Sequence, residues 1–146
     1  MMAMFSHDGL KDSLTQLAAP PRFYDELHRE LSRCARSGES FVVVKFELQA
    51  TSQYEEKVLD FAEVLSEASR VEDLCARLGE YEFAILLRGS QSVAVSFIDR
   101  VIQRWKQESI YVKFWSSMVE SQAGESPLEL LNRLDGNPLK EAAISF

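Results

Sequence analysis

Residues 70–88 read Arg-Val-Glu-Asp-Leu-Cys-Ala-Arg-Leu-Gly-Glu-Tyr-Glu-Phe-Ala-Ile-Leu-Leu-Arg, the most informative segment of the chain. Two segments with strand character, residues 73–78 and 81–87, flank the pair Gly79-Glu80. This pattern predicts a β-hairpin in which Gly79-Glu80 supplies the relaxed backbone that a tight reversal needs. Residues 83–87 are almost continuously apolar, which predicts a strand buried on both faces.

The segments around the hairpin alternate between helical and strand patterns. Apolar residues spaced three and four apart predict amphipathic helices, and β-branched or aromatic runs predict strands. From residue 41 to residue 119 the predicted order is βαββαβ, a ferredoxin-like α+β core in which crossover helices pack on one face of an antiparallel sheet. The predicted helices cover residues 8–17, 22–36, 54–69, 91–106 and 127–134, and the strands outside the hairpin cover residues 41–48, 111–119 and 142–146.

Length and composition favour a single globular domain. The chain has 146 residues, of which 46% are hydrophobic, and this is enough for a proper core. We expect residues 1–9 to be flexible and residues 10–146 to form the domain. The formal net charge of −7 argues against a nucleic-acid binder, which needs a basic face. Cys34 and Cys75 belong to no Cys-x-x-Cys or Cys/His cluster, so neither a disulfide nor a metal site is expected.

The hairpin resembles the signature of GGDEF domains, the family of diguanylate cyclases. In that family Arg-x-x-Asp precedes Gly-Gly-Asp/Glu-Glu-Phe, and here Arg70 and Asp73 match the first pair. The place of the signature is taken by Gly79, Glu80, Tyr81, Glu82 and Phe83. The segment before the first long helix also resembles the family's Asp-x-Leu-Thr opening, through Asp12, Leu14, Thr15, Leu17, Arg22 and Phe23.

The resemblance implies a chemistry that several residues do not support. Cyclases of the family join two GTP molecules with the help of magnesium, which prefers carboxylate ligands. Lys45 stands where the resemblance places one metal ligand, and Tyr81 stands where it places the other. Glu80 replaces the second glycine, and the guanine-binding segment between residues 48 and 58 is missing. These departures predict a degenerate, catalytically inactive domain with no metal and no cofactor, so we expect the protein not to be an enzyme.

Arg70 and Asp73 keep the motif that binds cyclic di-GMP in the family's inhibitory site. A guanidinium can bind phosphate or guanine through two hydrogen bonds, and a carboxylate accepts from guanine N–H groups. The resemblance implies that a further arginine completes such a site, with Arg77, Arg100 and Arg104 as candidates. A structural interpretation stays open, because Arg70 follows a helix and Asp73 can cap a turn.

Two functional hypotheses remain. The first is a cyclic di-GMP receptor that works through Arg70 and Asp73 in bacterial second-messenger signalling or assembly. The second is a nucleotide-independent module for protein–protein interaction or dimerisation, because Gly136-Asn137-Pro138 trims the C-terminal edge where the family's helix continues. A partner protein or a self-dimer is expected under either hypothesis. No leader sequence and no membrane-spanning run is apparent, so we expect a cytoplasmic protein without membrane insertion.

Overall fold

A computed structural model describes residues 5–108 and 111–142 of the chain. Its elements follow in the order α1 (Pro20–Ser37), β1 (Phe41–Leu48), α2 (Tyr54–Ala68), β2 (Leu74–Arg77), β3 (Glu82–Arg88), α3 (Gln91–Trp105), β4 (Phe114–Glu120), α4 (Pro127–Gly136) and β5 (Lys140–Glu141). The predicted hairpin is β2 with β3, and the predicted βαββαβ core runs from β1 to β4. The fold class predicted from the sequence is therefore confirmed.

The five strands form one antiparallel sheet in the order β2-β3-β1-β4-β5. Side chains alternate between the two faces of each strand, so every second residue faces the same helix layer. Helices α2 and α3 pack on one face around Phe61, Phe97 and Trp105. Helices α1 and α4 pack on the other face around Leu27 and Leu130. The central strands β1 and β3 are covered on both sides, which confirms the buried strand predicted over residues 83–87.

The predicted helix over residues 8–17 is wrong. Two aspartates hold this segment in turns instead: Asp8 Oδ1 accepts from the backbone N–H groups of Leu10 and Lys11 at 2.8 and 2.7 Å. Asp12 Oδ2 accepts from the backbone N–H of Thr15 at 2.8 Å and from the Thr15 hydroxyl at 2.7 Å. Such local side-chain bonds compete with the helical hydrogen-bond ladder. The following helix begins at Pro20, and its first turn tolerates proline because the N–H groups there have no helical partner.

The ends of the chain differ from their predictions in extent. The last strand, predicted over residues 142–146, is observed at Lys140–Glu141, and residues 143–146 lie outside the described residues. Residues 1–4 of the predicted flexible segment lie outside them as well.

Cys34 and Cys75 are half-buried free thiols, and burial raises the pKa of Cys75 to about 11. Among the described helices, none combines the length and the apolar character needed to cross a membrane.

Two glycines beside the hairpin have opposite backbone requirements. Gly79 does not occupy the left-handed region, and a Cβ added there would meet its nearest neighbour, Glu82 Cβ, at 3.5 Å. The expectation that Gly79 supplies a relaxed backbone is therefore wrong. Gly89 has a φ of +126°, and an added Cβ would come within 2.7 Å of Val93 Cγ2. Gly89, at the end of β3, is the position that requires glycine.

We predict that Gly89→Ala lowers the free energy of unfolding by about 1–3 kcal/mol, because alanine is strained at this φ. The matched variant Gly79→Ala is expected to change it by about 0.5 kcal/mol or less. Urea denaturation of the two variants beside the wild type measures both values. If the two variants lost equal free energy of unfolding, or if Gly79→Ala lost more, the requirement for glycine at position 89 would be contradicted.

Candidate functional site

The Arg70–Asp73 motif lies in a closed turn between α2 and β2. The Asp73 carboxylate accepts from the backbone N–H of Arg70 at 2.7 Å, and the Asp73 N–H donates to the Arg70 carbonyl at 3.1 Å. These two bonds hold the predicted pair on the same turn. Arg70 is exposed, and within the described residues its guanidinium makes no hydrogen bond or ion pair. The turn therefore presents a guanidinium that is available to an anionic ligand.

The Asp73 carboxylate lies in a mixed electrostatic environment. Partial burial raises the pKa of this carboxyl and outweighs the opposing effect of the Arg70 backbone N–H. The negative charge of Glu72 raises the pKa further, whereas the positive charges of Arg70 and Arg100 lower it. Arg100, from α3, donates to the Ala68 carbonyl, so a second arginine lies close to the turn.

Three arginines were candidates to complete the binding site at this turn. Arg77, Arg100 and Arg104 lie in different places relative to it. Arg100 lies beside the turn and donates from Nε and Nη2 to the Ala68 carbonyl at 3.2 and 3.0 Å. Arg104 is one helical turn further along α3, and its guanidinium pairs with Glu67 at 2.9 Å. Arg77 is a wrong candidate, because its side chain is fully buried and cannot reach an external ligand.

Arg77 instead connects three parts of the chain in a buried network. Its Nη1 lies 3.1 Å from each carboxylate oxygen of Asp12. Its Nη2 donates to the Tyr54 hydroxyl at the start of α2 and to the Glu80 carbonyl, the latter at 3.0 Å. Both Asp12 and Arg77 have side chains with no exposed area, so the ion pair is shielded from water. The sequence did not indicate this network, because Asp12 and Tyr54 lie 65 and 23 positions from Arg77 along the chain.

The residues at the place of the signature, Gly79 to Phe83, have different roles in the hairpin. The Glu80 side chain is exposed, whereas its carbonyl accepts from Arg77. The Tyr81 ring packs edge-on against Tyr54 with centroids 5.2 Å apart. Glu82 forms an ion pair with Lys45. Phe83 is fully buried in the core, as the sequence predicts.

The residues at the expected magnesium position do not fit a metal ion. Lys45 Nζ lies 3.2 Å from Glu82 Oε1 and 3.7 Å from Asp135 Oδ1, so an ammonium occupies the place between these carboxylates. Tyr81, at the second expected ligand position, carries no carboxylate and packs its ring against that of Tyr54. Within the described residues, no group of three or more His, Cys, Asp or Glu side chains is placed to hold a metal ion.

The antiparallel sheet, its two helix layers and the signature hairpin define a GGDEF-type domain. A family model described as "Diguanylate cyclase, GGDEF domain" matches residues 10–117, and the chain belongs to this family. No curated protein matches the chain.

Solved structures of similar fold include examples from two bacteria. The diguanylate cyclase SiaD of Pseudomonas aeruginosa, in complex with its activator SiaC, has a TM-score of 0.79 and 24% identity over 86% of this chain. The match covers 55% of SiaD, so this chain spans about half the length of that protein. The GGDEF domain of DgcB from Caulobacter crescentus, in complex with c-di-GMP, has a TM-score of 0.80 and 19% identity, over 90% of this chain and 88% of that one. The FimX GGDEF domain of P. aeruginosa has a TM-score of 0.77 and 15% identity, over 86% and 89%.

The family match corrects one expectation from the sequence. The departures at Lys45, Glu80 and Tyr81 led to the prediction that the protein is not an enzyme. This prediction is overturned, because the matching family is that of the diguanylate cyclases and a cyclase is among the similar structures.

Proposed function

We propose that this domain recognises cyclic di-GMP through Arg70 and Asp73, in a cytoplasmic signalling or assembly pathway of bacteria. The observation that carries the proposal is the Arg70–Asp73 turn, in which a guanidinium without a partner among the described residues stands beside a carboxylate. A guanidinium donates in a planar fork that suits phosphate or the acceptor edge of guanine. A carboxylate accepts the N–H groups of the same base.

The neighbourhood of the turn supports the proposal. Arg100 adds a positive charge close to Asp73, although its own N–H groups donate to the Ala68 carbonyl. Its charge therefore favours an anionic ligand beside the turn, while Arg70 supplies the free donors. The chain as a whole is acidic, so this local pair of arginines provides an attraction for phosphate that the overall charge does not.

The similarity to the DgcB domain adds support of a different kind, because that domain is described in complex with c-di-GMP. The SiaD structure includes an activator protein, which supports a role for a partner protein here. Under this proposal the bound nucleotide changes the surface around the turn, and a partner responds to that change.

Calorimetric titration of cyclic di-GMP into the purified protein tests this function, with GTP as the comparison ligand. We expect saturable binding of cyclic di-GMP at micromolar concentration or below. GTP, which presents a single guanine on a flexible triphosphate, is expected to bind more weakly. An absence of heat from folded protein would overturn the proposal and favour the interaction module that does not need nucleotide.

Binding of cyclic di-GMP is predicted to weaken in the acid range, beginning at a higher pH than an ordinary aspartate would cause. The ligand needs the Asp73 carboxylate as an acceptor, and the pKa of this group is raised by partial burial. The carboxylate therefore takes up a proton at a higher pH than an ordinary aspartate, whose pKa is about 3.9. Titrations over a series of pH values measure the effect, and Asp73→Asn serves as the control. The variant should bind weakly at every pH, and a pH dependence equal to that of the wild type would contradict the assignment.

A further inference from the structure

A pocket of about 330 Å³ lies at the β5 edge of the sheet, between the start of α3 and the loop that follows α4. Strand β5 pairs only with Trp115 and Ser116 of β4. The rest of β4 therefore has no neighbouring strand on this side within the described residues. The pocket occupies the gap that the short β5 leaves, and its volume is that of a small-molecule site.

Ser117 is a buried polar residue in the lining of this edge pocket. Its side chain belongs to a residue that is only 7% exposed, and its hydroxyl makes no hydrogen bond to any described residue. Its neighbour on β1, Lys45, is paired with Glu82 and Asp135 instead. Buried polar groups are nearly always hydrogen-bonded, because leaving one without a partner is costly. A ligand in the pocket would supply the partner that Ser117 lacks.

The backbone of β4 offers donors, but not acceptors, to the same pocket. The Ser121 N–H points toward β1, so the alternation of an antiparallel pair turns Met118 and Glu120 toward the open edge. Their two carbonyls already accept from the Asn137 and Arg133 side chains, at 2.8 and 2.7 Å. The Met118 N–H has no such partner among the described residues. An added strand needs both groups, so this edge disfavours strand pairing and favours a ligand that accepts hydrogen bonds.

The charges around the edge pocket select the ligand class. Lys140 lines it with an exposed ammonium that forms no ion pair within the part of the chain described. An ammonium, a hydroxyl and a backbone N–H together suit an oxyanion. Glu120 Oε1 accepts from the first N–H of α3 at 2.8 Å, and this nearby negative charge disfavours a dianion. Met118 and Pro138 add an apolar surface for the body of the ligand.

We propose that the edge pocket binds a monocarboxylate with a small apolar body. The carboxylate accepts from the Ser117 hydroxyl and the Met118 N–H, and Lys140 supplies the opposite charge. The apolar body lies against Met118 and Pro138. This inference does not rest on the function proposed for Arg70, because the Arg70–Asp73 turn precedes β2, at the opposite edge of the sheet.

Amide NMR spectra of the isotope-labelled protein test the proposal with benzoate as the probe, because its ring can pack on the Met118 thioether. We expect saturable shifts at residues 116–118, the largest at the Met118 N–H. Benzamide has the same shape without the charge and should bind about tenfold more weakly. Inorganic phosphate, which carries more charge and no apolar body, should also bind more weakly than benzoate.

Ser117→Ala should weaken benzoate binding by about tenfold. It should not lower the urea midpoint, because the hydroxyl has no hydrogen bond to a described residue that could be lost. Ser66→Ala, on the exposed face of α2, is the matched control and should leave binding unchanged. Lys140→Gln is expected to have an effect similar to that of Ser117→Ala, with the exposed Lys11→Gln as its control.

Three results would overturn the inference. The first is benzamide or phosphate binding as tightly as benzoate, and the second is unchanged affinity in Ser117→Ala. The third is an absence of benzoate-induced shifts at residues 116–118. Shifts confined to residues 68–74 would place the carboxylate at the Arg70 guanidinium, which would refute the edge pocket and leave the function proposed for the turn intact.

Discussion

Replacement of Arg77 by methionine is expected to lower the free energy of unfolding by about 3–5 kcal/mol, because removal of one member of a buried ion pair leaves the other charge uncompensated. The Asp12 carboxylate would remain in a position with no exposed side-chain area. The Tyr54 hydroxyl and the Glu80 carbonyl would lose their donor as well. The opening segment would then lose one of its main connections to the hairpin.

Urea denaturation measures this loss, and Arg29→Met is the matched control. Arg29 also pairs with two carboxylates, Asp25 and Glu26, but on the exposed face of α1. Exposed ion pairs contribute little, so the control should lose about 1 kcal/mol or less. If Arg77→Met does not fold, Asp12→Asn provides a milder change, with an expected loss of about 1–3 kcal/mol. If Arg77→Met and Arg29→Met lost equal free energy of unfolding, the stabilising role of the buried Arg77 network would be refuted.

Replacement of Arg70 by alanine is expected to weaken cyclic di-GMP binding by about a hundredfold or more. A guanidinium that grips a phosphate or a guanine edge makes two charge-assisted hydrogen bonds, each contributing about 1.5–3 kcal/mol. A hundredfold change in affinity corresponds to about 2.7 kcal/mol, so the loss of both hydrogen bonds is enough to account for it. The fold should be unaffected, because the Arg70 side chain is exposed and makes no contact that holds the turn together.

Calorimetry on the wild type, Arg70→Ala and Arg36→Ala measures this effect. Arg36 is an exposed arginine in the last turn of α1, on the other side of the sheet. Its removal changes the net charge by the same amount, so it controls for long-range electrostatics. Binding reduced equally in both variants would show that charge alone, and not the Arg70 side chain, attracts the ligand.

Local patterns predicted most of the fold. The β-branched and aromatic residues 41–48 predicted β1 with its observed bounds, because such side chains fill a pleated and buried surface. The spacing of Phe23, Leu27 and Leu31 predicted the buried side of α1. Residues 8–17 were predicted to form a short helix, whereas the side-chain bonds made by Asp8 and Asp12 determine the backbone conformation there.

Long-range contacts explain what the sequence did not reveal about the site. Arg77 was a plausible ligand-binding residue because arginines are usually exposed, yet its partner Asp12 lies 65 positions away. The Lys45–Asp135 contact likewise joins residues that only the packing of α4 on the sheet brings together. The Arg70–Asp73 turn was easier to predict, since its hydrogen bonds connect residues three positions apart.

A β-hairpin stands at the place of the GGDEF signature, and its polar contacts differ from the metal site that the resemblance implies. Lys45 and Glu82 form an ion pair across β1 and β3, and Tyr81 packs on Tyr54. The Arg70–Asp73 turn keeps both residues of the Arg-x-x-Asp motif together, with the Arg70 side chain exposed. We therefore propose that nucleotide recognition occurs at the turn.

Amide NMR spectra of the labelled wild-type protein, recorded with increasing cyclic di-GMP, test this placement most directly. We predict saturable shifts centred on residues 68–74 and on α3 around Arg100, with smaller changes elsewhere. Spectra that do not change, or shifts confined to the α1 and α4 face of the sheet, would contradict recognition by Arg70 and Asp73.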